Sequence, residues 1–216
     1  MRGDEMTVAE LATAHPAATQ VLYRHGIEFC AGAARSLREA CREAAVEVDA
    51  VLAEIDREEA GGGAGVAWFQ RPLAELVDHI VGAFHSVERR EMTQLEELLR
   101  TAAERRPGEA AQADLAAAFA HLRADLTEHM AKEETVLFPW LRTGRGDLAR
   151  TPIQVMLLEH EATLRLLNHV RALRQACAAA APADVIDRVA ELDRHVREHM
   201  HLENNVLFPR ALRGED

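Results

Sequence analysis

The chain predicts an all-α fold, an up-and-down four-helix bundle preceded by a small helical N-terminal domain. Three observations carry that expectation. Ala, Leu, Glu and Arg dominate and favour helix, whereas strand-like alternation is almost absent. Helix start and stop signals recur along the whole chain. One 11-residue word rich in His and Glu occurs twice, 70 residues apart, which places two similar helices in equivalent positions.

Residues 1–60 read as the N-terminal domain, with three or four short helices. Thr7 followed by Glu10, and Ser36 followed by Glu39, form capping boxes, in which hydroxyl and carboxylate each satisfy an orphan backbone N–H. Gly26 after Arg24 and His25 marks a helix C-terminus and opens a turn over residues 26–34. Residues 61–68 read as a linker, since Gly61, Gly62, Gly63 and Gly65 disfavour helix. Residues 69–216 supply four long helices. The first starts near Pro72 and runs to Arg105, Arg106, Pro107 and Gly108. The second covers about 109–142, with a bend or break at Pro139. The third opens at Thr151, Pro152, Ile153 and Gln154, which combine an N-cap, a first-turn proline and a capping Gln, and lasts to about Ala176. The fourth runs from near Asp184 and ends before Pro209. Short connections between long amphipathic helices make neighbours antiparallel.

Of the 216 residues, 48% are apolar and 28% charged, the balance of a folded globular chain. The formal charge of −11 would be repelled by phosphate backbones and anionic lipid, so neither nucleic acid nor membrane is expected as a partner. Residues 1–20 lack the apolar segment of a secretory signal, and no run approaches the ~18 apolar residues of a membrane span. The scattered Cys30, Cys41 and Cys177 do not read as a disulfide framework, and a cytoplasmic location is expected. The 11 His outnumber the nine aromatic residues, and imidazole is the commonest metal ligand.

The repeated word carries that chemistry. His129-Met130-Ala131-Lys132-Glu133-Glu134-Thr135-Val136-Leu137-Phe138-Pro139 aligns with His199-Met200-His201-Leu202-Glu203-Asn204-Asn205-Val206-Leu207-Phe208-Pro209, with seven of 11 positions identical. His and Glu four apart share one helix face. The first and third bundle helices add His85 and His160. Four imidazoles and two carboxylates converging on one axis suit two metal ions bridged by the glutamates, and mixed nitrogen and oxygen donors favour Fe, Mn or Zn.

This arrangement resembles the hemerythrin-like (HHE cation-binding) bundle. With the N-terminal piece, nearly the whole chain resembles the di-iron iron–sulfur cluster repair (RIC) family. The resemblance implies two non-heme iron ions held by His85, His129, Glu133, His160, His199 and Glu203, with both glutamates bridging and an oxo or hydroxo bridge accessible. It also implies a cytoplasmic homodimer that restores iron–sulfur proteins damaged by nitric oxide or peroxide, most simply by donating iron. Two rival functions share the same site: reduction of nitric oxide to nitrous oxide, and sensing or scavenging of nitric oxide or oxygen. The sequence departs from its relatives in two places. Leu164 stands where oxygen-carrying hemerythrins have a further His, which leaves an open metal position and argues against a carrier. Cys30 is followed by Ala31 where the repair family has a second cysteine, which removes the adjacent thiol pair.

The remaining polar candidates are graded by helix face. His121 and Asp125 extend the His129–Glu133 stripe, and His195 extends that of His199 and Glu203. His195 is expected to support the ligands or carry protons, and Asp125 and Glu159 to line an access path. Cys30, beside a glycine turn, reads either as an exposed reactive thiol or as a small buried hydrophobe, and the family resemblance favours the thiol. His79 and His169 are off the site, and His15, His25 and His201 belong to no motif.

Overall fold

The computed structural model describes residues 6–30, 34–61, 68–105, 110–178 and 181–215. Among these residues the regular structure is helical, apart from one β-bridge between Thr7 and Ser36. The N-terminal domain consists of α1 (Val8–Ala14), α2 (Ala18–Arg24), α3 (Leu37–Glu43) and α4 (Val48–Ala60). Both capping boxes form: the Glu10 N–H donates to Thr7 Oγ1 at 3.1 Å and the Thr7 N–H to Glu10 Oε2 at 2.9 Å, with Ser36 and Glu39 repeating the exchange. Val8 N–H bonds Arg35 O and Leu37 N–H bonds Met6 O, so α1 and α3 start side by side. Gly26, at φ 69°, ends α2 in the left-handed conformation that glycine adopts without strain. Ala31, and positions 62–67 of the expected linker, lie outside the described residues.

A short 3₁₀ turn (Trp68–Gln70) leads into the bundle. Its first helix is α5 (Leu73–His79), a π-helical turn (Ile80–His85) and α6 (Ser86–Arg105). The second is α7 (Ala110–Lys132), a π-turn (Glu133–Leu137) and α8 (Phe138–Arg142). The third is α9 (Gly146–Cys177). The fourth is α10 (Ala183–Leu202), a π-turn (Glu203–Leu207) and α11 (Phe208–Leu212). Asp78 pairs with Arg142, His85 with Glu134 and Glu96 with Arg123, partners that run in opposite directions along antiparallel neighbours.

Two expected helix boundaries move, the start of the third bundle helix and the end of the fourth, and the bend or break expected at Pro139 is a π-turn just before it. Helix α9 begins at Gly146 instead of Thr151, and Pro152 lies inside it. The proline forgoes only one bond in the second turn, whereas the true start is set by close packing. A Cβ on Gly146 would sit 2.3 Å from the Ala211 carbonyl oxygen. Pro139 and Pro209 end no helix. Each follows a π-turn in which the Phe138 or Phe208 N–H bonds back five residues, to Glu133 O or Glu203 O. The wider turn moves aside the carbonyl that a proline ring would strike in an α-helix. Thr135 Oγ1 then donates to Ala131 O at 2.6 Å, and Asn205 Nδ2, at the equivalent position, to His201 O at 3.3 Å.

Two apolar layers result. Leu73, Leu76, Ile80, Phe138, Leu141, Ile153, Leu207, Phe208 and Ala211 fill one end of the bundle. The other layer joins Met92, Leu95, Leu122, Met130, Leu167 and Met200 to Leu11, Leu22, Phe29, Val51 and Ile55 of the N-terminal helices. The predicted His and Glu residues lie between the two layers.

Candidate metal centre

The structure brings His85, His129, Glu133, His160, His199 and Glu203 together, all buried. Two groups of four form, and both contain both glutamates. In the first, His85 Nε2 lies 3.4 Å from Glu133 Oε2 and 3.0 Å from His199 Nε2, which is 3.2 Å from Glu203 Oε1. In the second, His129 Nε2 lies 3.4 Å from Glu133 Oε1 and 2.9 Å from His160 Nε2, which is 3.2 Å from Glu203 Oε2. Each carboxylate therefore turns one oxygen to each group. The three π-turns lie at this level and carry His85, Glu133 and Glu203. A π-turn rotates the following helix face, and such turns concentrate at functional sites.

Each imidazole is held from behind. His85 Nδ1 is 2.6 Å from Glu134 Oε1, His129 Nδ1 2.9 Å from Glu159 Oε2, His160 Nδ1 2.6 Å from Asn204 Oδ1 and His199 Nδ1 3.1 Å from Glu88 Oε2. All four acceptors draw the ring proton to Nδ1, so the neutral rings aim Nε2 lone pairs at the centre. Lone pairs 2.9–3.0 Å apart repel unless a proton or a cation lies between them. The four oxygens of Glu133 and Glu203 are buried without hydrogen-bond partners. A buried carboxylate without partners is costly, and one cation in each group would satisfy all eight inward atoms. The donor set thus fits metal ions, and its imidazole and carboxylate character fits iron.

Without a cation, protons take that place. Burial opposes charge on His129, but the attraction of Glu133 and then Glu203 outweighs it and pushes the ring up to about 9. Burial also opposes charge on His199, which Glu203 and Glu88 nonetheless raise well above the usual imidazole range. Burial disfavours ionised Glu203, yet His199 and His160 hold it well below the carboxylate range. Glu88, wholly buried, is likewise kept ionised down to about 2 by His199 and His195. Protons and metal compete for the same atoms, so metal binding releases protons.

Among the other sequence candidates, His195 Nδ1 shares the Glu88 carboxylate with His199, at 3.2 Å, and packs on Phe84. Asp125 and Glu159 line a recess of about 230 Å³ together with His129 and Lys132. His121 is exposed and pairs with Asp125 at 3.3 Å. His79 stacks on Trp68, and Leu164 is part of the apolar core. Cys30 corrects an expectation. It is 1% exposed, because Phe29 and the N-terminal helices pack that segment against α10. Its thiol donates to Glu28 Oε1 at 2.8 Å.

Sequence reasoning missed Glu88, Glu134 and Asn204. Glu134 and Asn204 follow Glu133 and Glu203 at one position of the repeat, which was the available signal. It also missed His201, buried with Nδ1 donating to Phe29 O at 3.0 Å and lowered by burial to about 4.

Among the described residues, no helix is long and apolar enough to cross a membrane. Residues 76–211 match the hemerythrin HHE cation binding domain, and residues 4–59 match ScdA_N, a domain of unknown function (DUF542). Proteins named iron–sulfur cluster repair protein YtfE are similar over nearly their whole length. Those of Yersinia pestis (strain Pestoides F) and Yersinia pseudotuberculosis serotype IB (strain PB1/+) and serotype O:1b (strain IP 31758) are each 34% identical over 216 residues, 97% of this chain and 97% of the relative. Likeness at that level along both domains leads to one assignment: the chain belongs to the hemerythrin-like iron–sulfur cluster repair protein family.

Proposed function

We propose that this chain holds two iron ions and restores damaged iron–sulfur proteins by giving up iron. His85 and His199 would hold one ion, His129 and His160 the other, with Glu133 and Glu203 shared. The observation that carries this reading is the pair of buried carboxylates, each with one oxygen toward each histidine pair and no hydrogen-bond partner of its own. Bound there, iron supplies a redox-active, exchangeable cargo.

The chain's own residues do the rest. Glu88, Glu134, Glu159 and Asn204 hold the four rings in the tautomer that donates from Nε2. Glu133 and Glu203, each shared by both groups, are acceptors of variable geometry that could hold a proton in place of a metal. Asp125 and Glu159 give the recess beside His129 a negative lining that attracts cations, partly offset by Lys132, which lies 2.7 Å from Glu159. Each group offers two imidazoles and two carboxylate oxygens, a donor set that would leave room at a bound metal for a further ligand, which favours a second reading: nitric oxide bound and reduced at the same site. A homodimeric state and a cytoplasmic location complete the proposal; oxygen or nitric oxide sensing is a rival reading of the same site.

One anaerobic experiment separates donor from reductase. The protein, loaded with isotopically labelled iron, is mixed with a cluster enzyme damaged by nitric oxide, and the two are then separated. Label in a reactivated target supports donation. Label kept in the bundle without reactivation rejects it, and nitrous oxide production would then establish the reductase.

A further inference from the structure

Asn204 stands one residue after Glu203, and its amide is committed at both ends. Nδ2 donates to the Cys30 carbonyl at 3.1 Å, and Oδ1 accepts from His160 Nδ1 at 2.6 Å. A backbone carbonyl can only accept, so this pairing fixes the amide's orientation, and with it the proton on His160 Nδ1. The equivalent residue in the first copy of the repeat is Glu134. It gives His85 a carboxylate instead of an amide, and its other partner is Arg89 at 2.9 Å, within the bundle. From the first bundle helix Glu88, wholly buried, holds His199 of the fourth and adds a second carboxylate behind the His85–His199 pair. The His129–His160 pair has one carboxylate, Glu159, which Lys132 partly neutralises, and one neutral amide. Carboxylates raise the donor strength of the imidazoles they hold, so the two halves of the centre differ.

The Cys30 end of this link is itself held. Glu28 Oε1 accepts from the Cys30 N–H at 3.0 Å, while its other oxygen pairs with Arg197, two residues before His199 on α10. Asn205 adds a second bond to the Cys30 carbonyl at 3.2 Å. The chain of contacts runs unbroken from the N-terminal domain to a ring nitrogen of the centre.

We propose that Asn204 is a positioning residue. It makes the His129–His160 half the more readily exchanged metal position and ties retention there to the seating of the Cys30 segment on α10. The inference rests on the two-iron reading above and adds which ion leaves and what gates it. With the segment seated, the amide holds His160 in its donating tautomer. With the segment displaced, the amide is free to turn and the ring loses its orientation.

The test uses the full chain loaded anaerobically with ferrous iron and mixed with excess ferrozine, with absorbance reporting iron release. The wild type should hold two ions and lose them in two phases of equal amplitude. Asn204→Ala should speed the fast phase about tenfold and leave the slow phase unchanged, in line with the effect of removing a ligand's outer partner. Glu28→Ala, which unpins Cys30 without touching Asn204, should also speed only the fast phase. Glu134→Gln should speed the slow phase instead, and it preserves the test if Asn204→Ala fails to fold. Two bound ions released in one phase, or a Glu28→Ala variant with both phases unchanged, would overturn this inference and leave the two-iron reading standing. A protein that binds fewer than two ions would overturn both.

Discussion

The chain contains a single tyrosine, which makes the junction between its two domains directly titratable. Tyr23, on α2, donates its hydroxyl to Asp193 Oδ2 at 2.9 Å on α10 and lies 2.8 Å from Ala190 O, with the Arg171 guanidinium 4.7 Å from its ring centroid. Burial, then the Asp193 charge, raise the phenol to about 12, and nearby Arg171 offsets only part of that. Because folding favours the neutral phenol, the stabilisation is complete below the unfolded value of 10 and is lost as pH rises toward 12. Two units set an upper bound of about 3 kcal/mol, reduced by solvent screening because the ring is only partly buried. Absorbance of the phenolate at 295 nm follows this one group. Its midpoint should lie near 12 in the native protein and near 10 in denaturant. Asp193→Asn should lower the native midpoint, since it removes a negative charge but keeps an oxygen acceptor. In urea melts, the stability difference between wild type and Tyr23→Phe should shrink from pH 10 upward. A native midpoint at 10, or equal alkaline losses in both proteins, would refute a partly buried, bonded phenol at a packed junction.

Three further outcomes follow from the geometry. Glu133→Ala should lower bound metal in both halves, whereas His85→Ala should lower it in one. Elemental analysis decides, and a Glu133→Ala protein with full metal content would contradict shared carboxylates. Gly146→Ala should destabilise the protein by about 1–3 kcal/mol in urea unfolding, because its methyl would meet the Ala211 carbonyl backbone; a change below about 0.5 kcal/mol would show that this contact relaxes freely. Cys30, Cys41 and Cys177 are each no more than 1% exposed, and burial raises the Cys41 thiol, so none should react quickly with Ellman's reagent in the native state. A thiol titrated within seconds without denaturant would contradict that burial.

The six convergent residues were legible because a helix face is periodic. His129 with Glu133 and His199 with Glu203 obey the four-residue spacing, and the duplicated word singles out both pairs. What lay outside the pattern depends on contacts between helices. Glu88 serves His199 from 111 positions away, and Asn204 serves His160 across 44. No local rule pairs them. The π-turns were hidden for a different reason: proline normally signals a helix end, yet a preceding five-residue bond lets the chain continue past Pro139 and Pro209. The start of α9 was misplaced because Pro152 suits a first turn, while the decisive restraint, the contact of Gly146 with Ala211, is tertiary. Cys30 beside a glycine turn left exposure and burial both open, and the family resemblance tipped the reading toward exposure. Its burial comes from Phe29, His201 and the two Asn residues of the second repeat.

The two copies of the repeat have unlike surroundings, and their differences follow from that. Val136 is 44% exposed, whereas its counterpart Val206 is 2% exposed, because the N-terminal helices cover only the second copy. Ala131, Lys132, Glu134 and Thr135 correspond to His201, Leu202, Asn204 and Asn205, substitutions that exchange a wetted face for an adhesive one. The second copy is therefore bound by two obligations at once, one side facing the ligand cluster and the other the neighbouring domain. The first copy answers to the cluster alone. Random mutagenesis should accordingly find positions 131, 132, 135 and 136 permissive and their counterparts 201, 202, 205 and 206 intolerant, although both stretches derive from the same word.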